Sequence, residues 1–260
     1  MNAFIKKIGR LIQLAFRAVG LDLFPYKPTH HYVPDIYGHA AFKQIPLNEE
    51  RVFENLAAPV IRSKRSSLYY DRLHVIFQAL AHLKAQFKAH ENLNLVEVGV
   101  YKGGTSYFIA SVVKHFKLQA THHAFDTFEG HAAQDIVSSV DTAHLPAMFN
   151  DTEFEAVKNY LGEFENVLVF KGRFQDTSHE LTQKKIQFVH FDVDIYEPTV
   201  FGLQFFHERL SSGGVIIVDD YGFTTCPGVK KAVDEFVAVT PGYFSLSLLT
   251  GQFLLVKLGD

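Results

Sequence analysis

Four aspartates close two apolar runs of this chain: Asp192 and Asp194 end IQFVHFDVD, and Asp219 and Asp220 stand in GGVIIVDDY. Runs of this length and composition read as buried strands. If the two strands are neighbours, four carboxylates converge at one sheet edge, an arrangement that is costly without a cation. Hard oxygen donors in this number suit magnesium or manganese better than zinc, which prefers nitrogen and sulfur. The chemistry such a site offers is activation of a hydroxyl. Coordination lowers its pKa and fixes its oxygen, and a neighbouring carboxylate takes the proton. Structural readings stand beside this one. Asp194, with Glu197 and Pro198 following, also fits a helix cap, and Asp220 fits a turn cap. His190, two residues before Asp192, belongs inside the strand as a core histidine.

A second constellation precedes the first. Glu97, Gly99, Tyr101, Gly103, Gly104 and Thr105 lie in VEVGVYKGGTS, a glycine-bearing turn between a strand and a helix, where a ligand can approach the backbone closely. Its glycine spacing is not the dinucleotide fingerprint G-x-G-x-x-G. The acidic Glu97 suits a cofactor carrying an ammonium and a sulfonium, as S-adenosylmethionine does, better than a diphosphate. The next apolar run, HHAFD, ends in Asp126, roughly 25 residues on, close to the spacing at which an acidic residue reaches a ribose hydroxyl. Asp126 also fits a turn acceptor beside Thr127 and Gly130.

The elements that position these residues alternate. After an amphipathic helix in Leu68 to His90 come LNLVEVGV, a helix from Thr105 to about Phe116, HHAFD, a helix near Glu153 to Leu161, VLVFKG and IQFVHFDVD. A helix from about Thr199 to Leu210, GGVIIVDDY, a helix from about Gly228 to Val239, and the runs FSLSLLT and QFLLVKL complete the chain. Buried strands with helical crossovers predict an α/β, doubly wound, mainly parallel sheet. The last two runs, separated only by Gly251, are expected to pair antiparallel. The segment Asp22 to Ser67 reads as loop-rich with one short helix at Glu49 to Ala57. The expected division is residues 1–67, an N-terminal helix with a loop-rich lid or docking extension, and residues 68–260, the catalytic domain.

The strings VEVGVYKGGTS, FDTFEGH, FKGRFQDT, FDVDIYEPT and GGVIIVDDYG, in this order, resemble those of the macrocin O-methyltransferase family, which methylates sugar hydroxyls on macrolide and aminocoumarin antibiotics. The likeness spans about Leu68 to Leu258. It implies a class I methyltransferase fold, Rossmann-like with a seven-stranded sheet, S-adenosylmethionine as methyl donor, and a magnesium requirement. By matching positions, Glu97, Gly99, Tyr101, Gly103 and Thr105 line the cofactor turn, Asp126 holds the ribose, and Phe128, Arg173, Phe174 and Asp176 enclose the adenine. The resemblance implies Asp192, Asp219 and Asp220 as metal ligands and Asp194 as the catalytic base. Pro198, Val193 and His190 depart from the family pattern without removing a ligand, and His131 to Asp151 has no recognisable match.

The expected function is therefore metal-dependent O-methylation of a sugar on a glycosylated natural product or glycan precursor. The competing expectations are a catechol-type phenol O-methyltransferase and a noncatalytic scaffold that binds S-adenosylmethionine. A formal charge of -3 argues against nucleic acid as a partner. The single cysteine, Cys226, suits a reducing compartment, so the cytoplasm is expected. Residues 1–20 form a basic amphipathic pattern, with Phe4, Ile5, Ile8, Leu11, Ile12, Ala15 and Val19 on one stripe. It reads either as a peripheral membrane contact or as a helix packed on its own domain or on a second subunit, making a homo-oligomer.

Overall fold

The computed structural model describes residues 50–88 and 91–259, together with residues 12, 15, 16 and 18. Those four excepted, the amphipathic pattern of residues 1–20 and the loop-rich stretch up to residue 49 lie outside the described residues. The chain divides into two compact units, Met1–Leu47 and Asn48–Asp260, and the second carries everything that follows.

Two helices lead into the sheet, α1 (Glu50–Ser63) and α2 (Tyr70–Gln86). Helix α1 runs past the expected end at Ala57 and takes Pro59 into its interior. The missing N–H is outweighed by burial, because Phe53, Ala57 and Val60 join one apolar cluster with Leu73, Phe77 and Leu80 of α2. Next come β1 (Leu93–Val98), α3 (Gly104–Phe116), β2 (Ala120–Asp126), α4 (Phe154–Leu161) and β3 (Val167–Lys171). A single helical turn, α5 (Phe174–Thr177), precedes β4 (Ile186–Phe191), α6 (Tyr196–Arg209), β5 (Leu210–Val218), α7 (Pro227–Val239), β6 (Tyr243–Ser247) and β7 (Phe253–Lys257).

The seven strands order as β3-β2-β1-β4-β5-β7-β6. Strands β1 to β5 pair parallel, and β7 runs antiparallel to both β5 and β6, as the short turn at Leu248 to Gln252 requires. Apolar layers cover both faces. Leu93 and Leu95 pack toward α2 and α3, while Val96 and Val98 pack with Leu203 and Phe206 of α6 and Val229 and Val233 of α7. The order reverses between β1 and β4, and in such sheets the crevice beyond the carboxyl ends of these strands is the binding place. Strand β4 stops at Phe191, earlier than IQFVHFDVD suggests. The Asp192 N–H still bonds the Val98 carbonyl at 2.9 Å, but Asp194 adopts a left-handed φ of 64° and turns the chain away. Among the described residues, no helix is long and apolar enough to cross a membrane.

Candidate active site

The glycine turn after β1 is shaped by what lies beneath it. Gly99 has φ 92° and donates its N–H to the Phe125 carbonyl at 2.9 Å. A Cβ on Gly99 would overlap the backbone carbonyl oxygen of Asp192, so the turn lies directly against the end of β4. Asp126 locks the turn from the other side. Its Oδ2 accepts the N–H groups of Val100 at 2.8 Å and Tyr101 at 2.7 Å, and its Oδ1 accepts that of Phe128 at 2.6 Å. Burial pushes the Asp126 carboxyl above its ordinary range, against the pull of these amides.

These parts open on a cavity of about 460 Å³. Of the residues expected around the cofactor, Gly99, Tyr101, Thr105, Asp126, Arg173 and Phe174 line it. Gly103, Phe128, Asp176 and Glu97 stand behind the lining. Gly103 precedes α3 with φ 84°. Phe128 is buried against Phe154, and Asp176 meets Arg173 Nη1 at 3.2 Å.

The carboxylates gather at the ends of β4 and β5. Asp192, Asp194 and Asp220 line the cavity, and Asp219 is wholly buried just behind them. Burial, then the mutual repulsion of Asp219, Asp220 and Asp194, holds the Asp192 carboxyl well above the usual carboxylate range. Burial followed by Asp220 raises Asp194 in the same way, and burial followed by Asp219 raises Asp220. Asp219 ends below its ordinary value. Burial pushes it up, but a His190 hydrogen bond and the Arg72 guanidinium outweigh that, and Gln252 Nε2 donates to Oδ1 at 2.7 Å. Asp220 Oδ2 is buried without a hydrogen-bond partner among the described residues. Three raised carboxyls and one orphaned oxygen fit a divalent cation, and their hard oxygen donors fit magnesium or manganese.

Glu97 lies on the far side of β1, sharing the face of Leu95, and is fully buried. Ser106 Oγ donates to its Oε2, and His190 Nδ1 lies 3.3 Å from its Oε1. The His190 ring then reaches Asp219 Oδ1 at 3.5 Å through Nε2, so Glu97 supports the carboxylate wall through a histidine. Burial pushes Glu97 up, yet His122 and His190 bring it down to about 2. A depressed carboxyl contributes stability above its unfolded value of 4.5 that disappears as pH falls through 2. Glu97→Gln is accordingly expected to lower stability near neutral pH by about 3 kcal/mol and to flatten the loss between these limits. Thermal melts across this pH range check it, and an unchanged acid limb would contradict the assignment.

Several cavity groups carry no signal in the sequence. Arg72 of α2 donates Nη1 to Asp219 Oδ2 and Nη2 to the Ser67 carbonyl at 2.7 Å. Asp135 takes the Arg173 guanidinium with both oxygens, Oδ2 accepting Nε at 2.8 Å and Oδ1 accepting Nη2 at 2.5 Å, which fixes the side chain of Arg173. His131 and His144 meet at 3.1 Å on the loop without a family match, and His131 Nε2 lies 3.8 Å from Asp194 Oδ2. Burial, followed by His144, drops His131 to about 4, so its imidazole is neutral at pH 7. Arg72, Asp135 and His144 lie outside the motif strings, and His131 closes one of them.

The sheet order and the placement of the site define a Rossmann-like, class I methyltransferase fold. The O-methyltransferase NovP superimposes with a TM-score of 0.64 at 23% identity, over 75% of this chain and 82% of that one. CalS11, a calicheamicin methyltransferase, does so at 0.57 and 17% identity, over 85% of this chain and 96% of that one. These likenesses speak for the fold. Residues 72–241 match the macrocin O-methyltransferase (TylF) family, and the chain belongs to it.

Among its relatives is the 8-demethyl-8-(2,3-dimethoxy-alpha-L-rhamnosyl)-tetracenomycin-C 4'-O-methyltransferase of Streptomyces olivaceus. It is 30% identical over 152 residues, which cover 55% of this chain and 57% of that protein. Demethyldecarbamoylnovobiocin O-methyltransferase of Streptomyces niveus is 29% identical over 154 residues, 56% of this chain and 58% of that protein. The chain thus spans less than two thirds of the length of these curated relatives.

Proposed function

We propose that this protein is an O-methyltransferase that moves the methyl group of S-adenosylmethionine to a hydroxyl of a sugar, on a glycosylated natural product or glycan precursor, with magnesium or manganese bound at the aspartates. The observation that carries this reading is that the glycine turn, Asp126 and the raised carboxylates open on one cavity, with Gly99 packed on the backbone of Asp192. Membership of the family supports the reaction, and the sugar-modifying relatives support the acceptor class.

In this reading Gly99, Tyr101 and Thr105 border the methionine end of the donor. Asp126 Oδ1 has one lone pair left for the ribose after the three amides, and Arg173 and Phe174 border the adenine. Asp192, Asp219 and Asp220 would hold the cation, which supplies Lewis acidity toward the acceptor hydroxyl. Asp194 accepts the hydroxyl proton. S-adenosylmethionine would supply the methyl group that the oxygen takes as its proton leaves, and S-adenosylhomocysteine would remain. Asp194 lines the cavity beside Asp192 and Asp220, which suits that task. The acceptor side includes the imidazole of His131, held at 3.1 Å by His144, whose other ring nitrogen lies 3.1 Å from the Thr225 carbonyl. Net charge argues against nucleic acid as the acceptor, and the lone cysteine supports a cytoplasmic setting.

Transfer of labelled methyl from S-adenosylmethionine to panels of free sugars, nucleotide sugars, glycosylated aglycones and phenols tests the proposal. Label in a sugar hydroxyl is the expected result. Label only in phenols, or donor binding with no acceptor in any panel, would sink the acceptor assignment.

A further inference from the structure

Residues 65–72 join the two halves of the site. At one end the Arg65 carbonyl accepts the Gly104 N–H at 3.1 Å, Arg65 Nη1 donates to the Lys102 carbonyl at 3.1 Å, and Ser66 Oγ lies 2.8 Å from Thr105 Oγ1. A Cβ on Gly104 would meet the backbone of Arg65 and Ser66 at 2.6 to 2.8 Å, so this strap lies flush on the cofactor turn. At the other end Arg72 clasps both the strap, through the Ser67 carbonyl, and the carboxylate wall, through Asp219. The guanidinium is 5.2 Å from the Phe223 ring, and its side chain is only 14% exposed. Asp219 Oδ1 is held by Gln252 and His190, so Oδ2 is the oxygen that Arg72 draws on.

We propose that Arg72 is a positioning residue that competes with the divalent cation for Asp219 and so links cation binding to the strap over the cofactor turn. The inference rests on the metal reading given above. A guanidinium beside Asp219 offsets part of the negative charge on which a cation depends, and it holds one of the oxygens that a cation would use. Its grip on the Ser67 carbonyl means that any shift of Arg72 away from Asp219 is felt at Ser66 and Arg65, against the turn.

Titration of Mn2+ into the full-length protein, with S-adenosylhomocysteine present and free ion read by electron paramagnetic resonance, tests this without turnover. Arg72→Met, which removes the competitor, is expected to bind Mn2+ about tenfold more tightly than the wild type. Arg72→Lys keeps the charge and is expected to stay within about threefold of the wild type, with a melting curve confirming that each variant is folded. If Arg72→Met does not fold, Arg72→Gln, which retains a donor for the Ser67 carbonyl, is expected to show the same tightening. A wild type that binds Mn2+ with an affinity that Arg72→Met or Arg72→Gln leaves unchanged or weakens would overturn the inference alone. A wild type that binds no Mn2+ would overturn the metal reading and this inference with it.

Discussion

Asp192→Asn is expected to reduce methyl transfer by about a thousandfold or more while leaving affinity for S-adenosylmethionine within a few fold. The two effects separate because Asp192 serves the site with two different groups. Its backbone carbonyl packs on Gly99 and shapes the cofactor turn, and asparagine retains it. Its carboxylate faces the cavity among Asp219, Asp220 and Asp194, and asparagine removes one charge from that wall. Since burial and repulsion hold this carboxyl well above its usual range when no cation is bound, the substitution relieves a cost, and the melting temperature of the metal-free protein should stay level or rise. Activity loss with stability gain is the pattern of a functional carboxylate. Turnover kinetics, donor binding by calorimetry and a thermal melt measure the three quantities. An active Asp192→Asn enzyme would remove Asp192 from the metal site.

Gly99→Ala is expected to act in the opposite way, destroying donor binding and stability together. The residue has φ 92°, where an L side chain is strained, and the added methyl would overlap the Asp192 carbonyl oxygen. That carbonyl belongs to the backbone at the end of β4, so relief requires β1 and β4 to part at their carboxyl ends. Strain and lost packing together are expected to cost at least about 3 kcal/mol. Chemical denaturation and S-adenosylhomocysteine binding check it. A variant within about 1 kcal/mol of the wild type that still binds would mean that the contact between turn and strand end does not shape the site.

What the sequence discloses about this molecule is what lies at strand ends. The alternation of apolar runs with helical patterns predicts the mainly parallel sheet, and the brevity of the turn near Gly251 predicts the antiparallel final pair. The same local patterns bring Gly99, Asp126, Asp192 and Asp220 to the cavity, because side chains at carboxyl ends of parallel strands have one crevice to enter. Glu97 shows where this logic needs parity as well as position. It sits one residue before Val98, and alternation turns its side chain to the face of Leu95, toward Ser106 and His190.

Arg72 and Asp135 were not legible because their partners are distant in the chain. Arg72 meets a carboxylate 147 positions away, and Asp135 meets Arg173 38 positions away. Nothing in the spacing of either residue announces those contacts. Helix α1 overruns its expected end for a related reason. Pro59 argues locally for a stop, and the apolar contacts of Val60 with the next helices override it.

The proposed reaction needs a cation and a methyl donor in one cavity. Its most direct test is labelled methyl transfer to the best sugar acceptor by protein stripped with a chelator, then resupplied with Mg2+ or Mn2+, beside Asp192→Asn under the same conditions. The stripped wild type is expected to lose turnover, either ion to restore it, and Asp192→Asn to recover with neither. Turnover undiminished by the chelator would contradict it.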